Sequence, residues 1–288
     1  TEFKRSGVMR SQKKINVIKK IIIYLLLLIF VFYACFPVIW MISTSFKSPG
    51  EVFQSPPRFK PRFFTTSAYM AIFTNPVKRA YFWNSIIVSL VVTTFTLFVS
   101  ILTAYAFSRF EFKGKRLMSV FVINTQAVPP IALMIPFFSI IVKIKFYDTL
   151  WALISTYLVF TLPYGILMMT GYFNTISKSL DEAVEVDGGS SWTILWRILV
   201  PISLPGIVAT AIYTFIQSWN EYLYALTLTR SSNMRTIPIG IQLLMGEHAY
   251  TWNEMMAMSV LGALPVLILF LFGQKYFIAG MTSGSVKS

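Results

Sequence analysis

Long uncharged runs alternate with short polar connections along this chain, and the lengths of the runs set the first expectation. Ile21 to Phe46, Ala80 to Ser108, Leu117 to Val142, Thr149 to Ser177 and Met255 to Gln274 contain no Asp, Glu, Lys or Arg, and Ile198 to about Thr229 contains only Glu221. About 20 apolar residues span a bilayer as a helix. The pattern therefore predicts an all-α integral membrane protein with six transmembrane helices, at about 17–41, 85–107, 117–142, 150–171, 202–227 and 255–277. Residues 1–16 form a basic N-terminal segment and 278–288 a tail. The first run follows a basic stretch, as a signal peptide's would, but exceeds the ~7–15 residues of a signal-peptide core.

Punctuation within the runs refines the picture. Pro37 is a candidate kink in the first span. Lys47 to Asn84 reads as a long, proline- and aromatic-rich connection, in which Tyr69, Ile72 and Phe73 suit a short interfacial helix. The third run holds Asn124, Gln126, Pro129, Pro130 and Pro136. It is either a kinked packing helix or a broken one lining a cavity. In the fifth run Trp219-Asn220-Glu221-Tyr222 interrupts the apolar sequence. Gln217, Asn220 and Glu221 stand at i, i+3 and i+4, one face of a continuous helix.

Composition agrees. The chain is 56% hydrophobic and 12% charged, about half the usual charge of a soluble domain. A net charge of +14 over so little polar surface points to anionic membrane lipid and not to nucleic acid. One cysteine, Cys35, and one histidine, His248, provide no metal site, disulfide or Cys-His pair. No phosphate-binding G-x-x-x-x-G-K-[ST] loop is present.

The polar exception is Ser179 to Pro201, which holds Asp181, Glu182, Glu185 and Asp187. Ser179 and Glu182 have capping-box spacing, so a helix is expected from Leu180, with Leu180, Ala183 and Val184 on one face. Gly188-Gly189 is expected to end it and a second helix to run from Ser191 to Leu199, ahead of Pro201. Glu182-Ala183-Val184, two residues, Asp187-Gly188-Gly189, eight residues, then Ile198-Leu199-Val200-Pro201 resembles the EAA loop of ATP-binding-cassette (ABC) importer permeases. Val184, Gly189 and Val200 depart from the motif's alanine, alanine and leucine, each keeping a small or apolar side chain.

The resemblance extends from about Lys20 to the C-terminus, through Trp219-Asn220-Glu221-Tyr222 and the ending Ala279-Gly280-Met281-Thr282-Ser283-Gly284. In these features it looks like the smaller permease subunit of maltose-type sugar importers. That likeness implies a type I ABC importer permease fold with a cytoplasmic coupling helix. It implies a second permease subunit, ATPase subunits that bind ATP and Mg, an extracytoplasmic solute-binding protein and a carbohydrate substrate. The chain itself would be non-catalytic and without a cofactor. By the same likeness, Glu182, Ala183, Val184, Asp187, Gly188, Gly189 and Pro201 would engage the ATPase. The loop Arg230 to Glu254, with Gly246, Glu247, His248 and Tyr250 at its tip, would reach the binding protein.

Fifteen of the 25 Lys and Arg fall on one side of the six spans, at Lys4 to Lys20, Arg109 to Arg116, Lys178, Arg197, Lys275 and Lys287. The positive-inside rule then places both termini and the acidic loop in the cytoplasm, and the resemblance implies a bacterial cell (inner) membrane. Gln217, Asn220 and Glu221, with Asn124 and Gln126, are the candidates for a polar solute path. Glu221 has a second reading, as a residue near the outer interface paired to another helix. Two alternatives remain: an ABC permease for a non-sugar solute such as a polyamine, and a stand-alone secondary transporter. The latter would call for inverted repeats or several intramembrane charges, and neither is seen.

Overall fold

In the computed structural model, residues 2–246 and 251–283 are described, with side chains over 18–246 and 251–276. The helices are α1 (Glu2–Ser45), α2 (Pro49–Val52), α3 (Ser67–Thr74), α4 (Pro76–Arg109), α5 (Lys115–Thr125) and α6 (Met134–Lys143). After α7 (Leu150–Thr175) and α8 (Ser179–Val186) come α9 (Ser191–Thr193), a π-helical turn (Ile194–Leu199) and α10 (Val200–Ile202). The chain continues through α11 (Leu204–Trp219), α12 (Leu223–Leu228), α13 (Ile237–Leu243) and α14 (Trp252–Ser283).

Four helices cross a membrane's thickness unbroken: Ile18–Ser45 in α1, Pro76–Arg109, Leu150–Thr175 and Trp252–Tyr276 in α14. Two more spans are bent pairs, Lys115–Thr125 with Pro130–Lys143 at 99° and Ser191–Ile202 with Leu204–Trp219 at 75°. Single prolines (Pro37, Pro163 and Pro265) sit inside continuous helices, whereas the third run, with Pro129 and Pro130 adjacent, breaks. Two neighbouring residues without N–H groups leave two carbonyls of the preceding turn unserved, and a short 3₁₀ segment, Pro130–Leu133, takes up the chain there. The broken-helix reading of that run therefore stands over the kinked one.

Three boundaries move. The second span starts at Pro76, inside the expected 47–84 connection. Asn75 Oδ1 accepts from the backbone N–H of Val77 (2.9 Å) and Lys78 (3.3 Å), and proline suits the first helical position. Lys78 and Arg79 had made this first turn look like loop. The expected span 202–227 ends at Trp219, with α12 following a break. The loop 230–254 contains α13, with Ile237 and Ile239 buried.

Two compact units emerge, the chain up to Met70 with Thr251–Val260, and Ala71–Tyr250 with the chain from Leu261. In the first, the connection after α1 is organised by Lys47, which is only 3% exposed. Its Nζ donates to Arg58 O (2.6 Å) and lies 4.6 Å above the Trp40 ring. Glu51 accepts from Arg62 N at 2.6 Å, so both buried charges have partners.

The second unit is built on α4 against α7. Ser89, Thr93, Thr96, Ser100 and Ala104, spaced three or four apart, form one buried stripe of small residues along α4. In a bilayer such stripes let helix backbones approach closely, and dispersion replaces the missing hydrophobic drive. Gly165 completes the contact: a Cβ there would lie 2.4 Å from Ser100 Oγ. Thr96 and Thr161 hydroxyls pair across the interface at 2.8 Å. Val88, Val92, Leu153, Ile154, Tyr224 and Leu228 form one core cluster, and Ile101, Met169, Phe173, Ile194, Leu195 and Leu199 form another. The second carries the acidic loop.

The α6–α7 loop is tied to the chain after α12. Asp148 takes positive φ (61°), and its N–H donates to Leu228 O at 2.9 Å. Its carboxylate accepts from the N–H groups of Arg230 and Ser231, each at 2.8 Å, and from the Ser231 hydroxyl at 2.5 Å. Partial burial pushes this carboxyl upward, but the Ser231 hydroxyl and the two N–H groups outweigh it and hold the pKa below its ordinary value. A depressed carboxylate stabilises the fold above its unfolded pKa, and the contribution is lost as pH falls through the folded value. The Arg230 and Ser231 amides should therefore exchange hydrogen at an opening free energy unchanged from pH 8 to 5. Asp148→Ala should open both faster throughout that range. Equal protection in wild type and variant would refute the tie.

Candidate functional site

The acidic helix α8 forms where expected, but its start differs. Lys178 is helical (φ −66°, ψ −20°), so Ser179 lies already inside the first turn and cannot act as an N-cap. Its hydroxyl pairs instead with that of Ser177 at 2.8 Å. The expected capping box is absent for that reason. The C-terminal end is as anticipated: Gly188 has φ +77°. Gly188 N–H donates to Glu185 O (3.0 Å) and Gly189 N–H to Val184 O (2.8 Å). Those two bonds make a Schellman closure, which satisfies the helix's last carbonyls.

Of the expected apolar face, only Val184 packs onto the Phe173–Leu195–Leu199 cluster; Leu180 and Ala183 are exposed. Glu182, Glu185 and Asp187 are exposed too, whereas Asp181 is turned inward. Arg109, the last residue of α4, reaches Asp181 with Nε–Oδ2 2.5 Å, the two side chains being 6% and 13% exposed. The same guanidinium donates to Phe173 O (3.0 Å) and Ile176 O (3.1 Å) at the end of α7. One side chain thus serves two of the last carbonyls of α7 and ties α8 to two spans. Sequence reading placed Arg109 only among the basic residues of a turn.

Beyond Gly189, Ser190 caps α9 by accepting from Thr193 N at 3.4 Å. The expected α-helix over Ser191 to Leu199 is π-helical from Ile194. Pro201 does not stop the chain's helical path but sits inside α10. A proline in that place has no N–H for the preceding turn, and a widened turn is one way a helix accommodates this.

The candidates for a solute path separate. Gln126, beside the break after α5, and Gln217 of α11 both line a cavity of about 220 Å³, together with Phe160, Tyr164 and Tyr213. Asn124 and Asn220 are exposed and do not line it. The single helical face expected for Gln217, Asn220 and Glu221 does not exist, because α11 ends at Trp219 and Asn220 is its C-cap. Glu221 instead accepts from Tyr157 Oη (2.7 Å), Tyr224 N (2.9 Å) and Ala225 N (3.0 Å). It caps α12 and joins it to α7, the pairing to another helix that its second sequence reading contained.

In the 230–254 loop, Asn84 Nδ2 donates to Asn233 O (2.7 Å) and Arg235 O (2.9 Å), and Ile237 N–H donates to Ser85 Oγ (2.9 Å). The start of α13 is thereby fixed on α4. Gly246 follows α13; Glu247, His248 and Tyr250 lie outside the described residues. Among the described residues no group of His, Cys, Asp and Glu is arranged to hold a metal ion.

Four unbroken helical spans and two bent pairs, with the acidic helix α8 between Leu150–Thr175 and Ser191–Trp219, define a multi-pass membrane protein. Residues 96–283 match the family described as binding-protein-dependent transport system inner membrane component, and the chain belongs to that family. It is 34% identical over 269 residues to a probable ABC transporter permease, YurM, of Bacillus subtilis, covering 92% of this chain and 88% of that one. It is 36% identical over 276 residues to the trehalose/maltose transport system permease MalG of Thermococcus litoralis, covering 94% and 98%. A bacterial ABC transporter that imports the acidic polysaccharide alginate contains a chain of the same fold, with TM-score 0.76, 26% identity, and 90% and 96% coverage. The expected type I ABC importer permease fold is therefore present.

Proposed function

We propose that this chain is one of two permease subunits of an ATP-driven importer for a sugar or short oligosaccharide. The observation that carries the reading is the loop at Ser179–Val186. It is a compact acidic helix with a glycine closure, exposed at Glu182 and Asp187 and anchored through Asp181 to the ends of two spans. Such a helix moves as a rigid lever and passes displacement to α4 and α7. Glu182, Ala183, Val184, Asp187, Gly188, Gly189 and Pro201 form the surface and frame of that lever toward an ATPase subunit. ATP and Mg belong to that ATPase, and the present chain performs no catalysis. Both termini and the lever belong to the cytoplasmic side in this reading, and the sequence from Gly246 to Tyr250 is assigned to contact with the solute-binding protein.

The trehalose/maltose relative and the alginate importer support a carbohydrate as cargo. A polyamine is less well served, since Glu221 is committed to Tyr157 and to the α12 backbone.

The test is a co-purification. This chain is expressed with its partner permease, ATPase and binding protein, as wild type and as a variant lacking residues 182–188. Capture of the ATPase by wild type alone, with ATP hydrolysis stimulated by the loaded binding protein, is the expected result. A folded, paired wild type that captures no ATPase would overturn the proposal. A milder lesion has a graded effect. No atom lies within 4 Å of a Cβ built at Gly188, so Gly188→Asp costs only the left-handed backbone, about 1 kcal/mol. That variant should reach the membrane at wild-type level and import more slowly per ATP hydrolysed; unaltered uptake would count against a closure role for Gly188.

A further inference from the structure

The chain after α1 folds back along the end of its own span. Lys47 Nζ donates to Arg58 O (2.6 Å), Arg62 N–H to the Glu51 carboxylate (2.6 Å) and Thr65 N–H to Phe46 O (3.0 Å). Ser43 Oγ donates to Phe59 O. The Phe59 ring then lies beside those of Phe36 and Trp40, with centroids 6.2 and 5.9 Å away. Phe36 precedes Ser45, the last residue of α1, by about 13 Å along the helix axis. The span Ile18–Ser45 has 28 residues, about 42 Å, whereas the hydrocarbon core takes ~30 Å. A span centred on that core puts Phe36 just inside it, and residues 58–64 where acyl chains meet headgroups.

This strap carries Arg58, Lys60 and Arg62 at alternate positions, all exposed, with Pro61 buried between the last two. Two exposed aromatics follow, Phe63 at 82% and Phe64 at 70%. The sequence has no Asp or Glu between Glu51 and Glu111, and Glu51 is buried against Arg62 N. Among the described residues no acid lies within ion-pair distance of the three cations. Basic residues already gather at the other end of α1, from Lys4 to Lys20. A second cationic cluster at the opposite end runs against the one-sided distribution that membrane proteins favour, so it calls for a counter-charge. We propose that residues 58–64 are a binding strap for anionic phospholipid headgroups. Arg58, Lys60 and Arg62 engage the phosphates, and Phe63 and Phe64 enter the acyl boundary. The aromatic contacts select lipid over a soluble protein face: a surface built for a soluble partner would stand clear of the span, whereas Phe59 holds this one against the span's last turns. The buried charges supply the frame. Lys47 and Glu51 bond backbone atoms of Arg58 and Arg62, which leaves both guanidinium groups free to face headgroups. The proposal is independent of the solute carried.

The complete transporter, with partner permease and ATPase, is placed in nanodiscs of phosphatidylcholine containing a photoactivatable phosphatidylglycerol, and labelled peptides are located by mass spectrometry. Residues 58–64 should be labelled, and plain phosphatidylglycerol should compete for the site better than phosphatidylcholine. Arg58→Gln, Lys60→Gln and Arg62→Gln should each weaken that competition about fivefold, the worth of one cation beside an anionic surface. The triple variant should lose the label. Label on the segment from Lys4 to Lys20 should stay at wild-type level, which separates lost binding from lost insertion. Undiminished strap label in the triple variant, or equal competition by the two lipids, overturns the proposal. Removal of the strap label by inorganic phosphate would mean a site for the free anion, and removal by the solute-binding protein would mean a protein face. Either result also overturns the lipid assignment.

Discussion

Replacing Arg109 with alanine should reduce ATP-driven uptake by about tenfold or more while the chain still inserts and pairs. The guanidinium links three elements: its own helix α4, the carbonyls of Phe173 and Ile176 at the end of α7, and Asp181 on α8. With both partners nearly buried, removing one leaves an uncompensated carboxylate, a loss of about 3 kcal/mol. That energy falls where an ATPase-driven displacement would enter the spans, so the cost appears mainly as lost coupling. Asp181→Ala should show the same loss, and the double variant should be little worse than either single one. Arg109→Lys should lie between, because an ammonium keeps the charge but not the planar fork that reaches two carbonyls and a carboxylate together. The measurement is solute imported per ATP hydrolysed. Wild-type coupling in Arg109→Ala, or strictly additive losses in the double variant, would show that the pair carries no force.

Much of this architecture is legible in the order of residues, because a bilayer enforces a simple rule. Runs of span length with at most one charge must be helical, and six such runs are present, five of them uncharged and the sixth holding only Glu221. Gly188 and the adjacent prolines Pro129 and Pro130 act through local backbone chemistry, so their consequences, a left-handed closure and a broken span, could be anticipated. What escaped depends on partners distant in sequence. Glu221 had two readings, a lining residue or a pair to another helix, and the first assumed that the fifth helix continues past Trp219. Tyr157, 64 positions away, and the free N–H groups of α12 claim it instead. Arg109 looked like a topological signal, and only the packing of α7 and α8 shows what it holds. The small-residue stripe Ser89-Thr93-Thr96-Ser100-Ala104 had a readable period within its run. Short side chains at three- and four-residue spacing are the signal that would have identified the α4–α7 contact in advance.

Gly189→Ala should impair the loop more than its size suggests, and Val184→Ala should relieve part of that loss. The resemblance motif has alanine at both places, whereas this chain has the larger Val184 and the smaller Gly189. The geometry places the two positions in direct contact. A Cβ at Gly189 would lie 2.4 Å from Val184 Cγ1 and 2.9 Å from Val184 O. The first contact is a β-branched side chain with little rotamer freedom inside a helix. The second is the carbonyl that accepts Gly189 N–H in the helix closure. Crowding of this kind costs about 1–3 kcal/mol, and here it forces apart the bond that ends α8. Val184→Ala removes the methyl group that collides, at the expense of a contact with the Phe173–Leu195–Leu199 cluster. Alone it should weaken the loop modestly, and in combination it should recover only part of the coupling lost in Gly189→Ala, since the 2.9 Å approach to Val184 O remains. A double-mutant cycle on solute imported per ATP measures the interaction directly. An interaction energy near zero would mean that the backbone yields elsewhere and that the two substitutions are independent. A favourable one of about 1 kcal/mol or more would show that residues 184 and 189 are tuned together to close the helix.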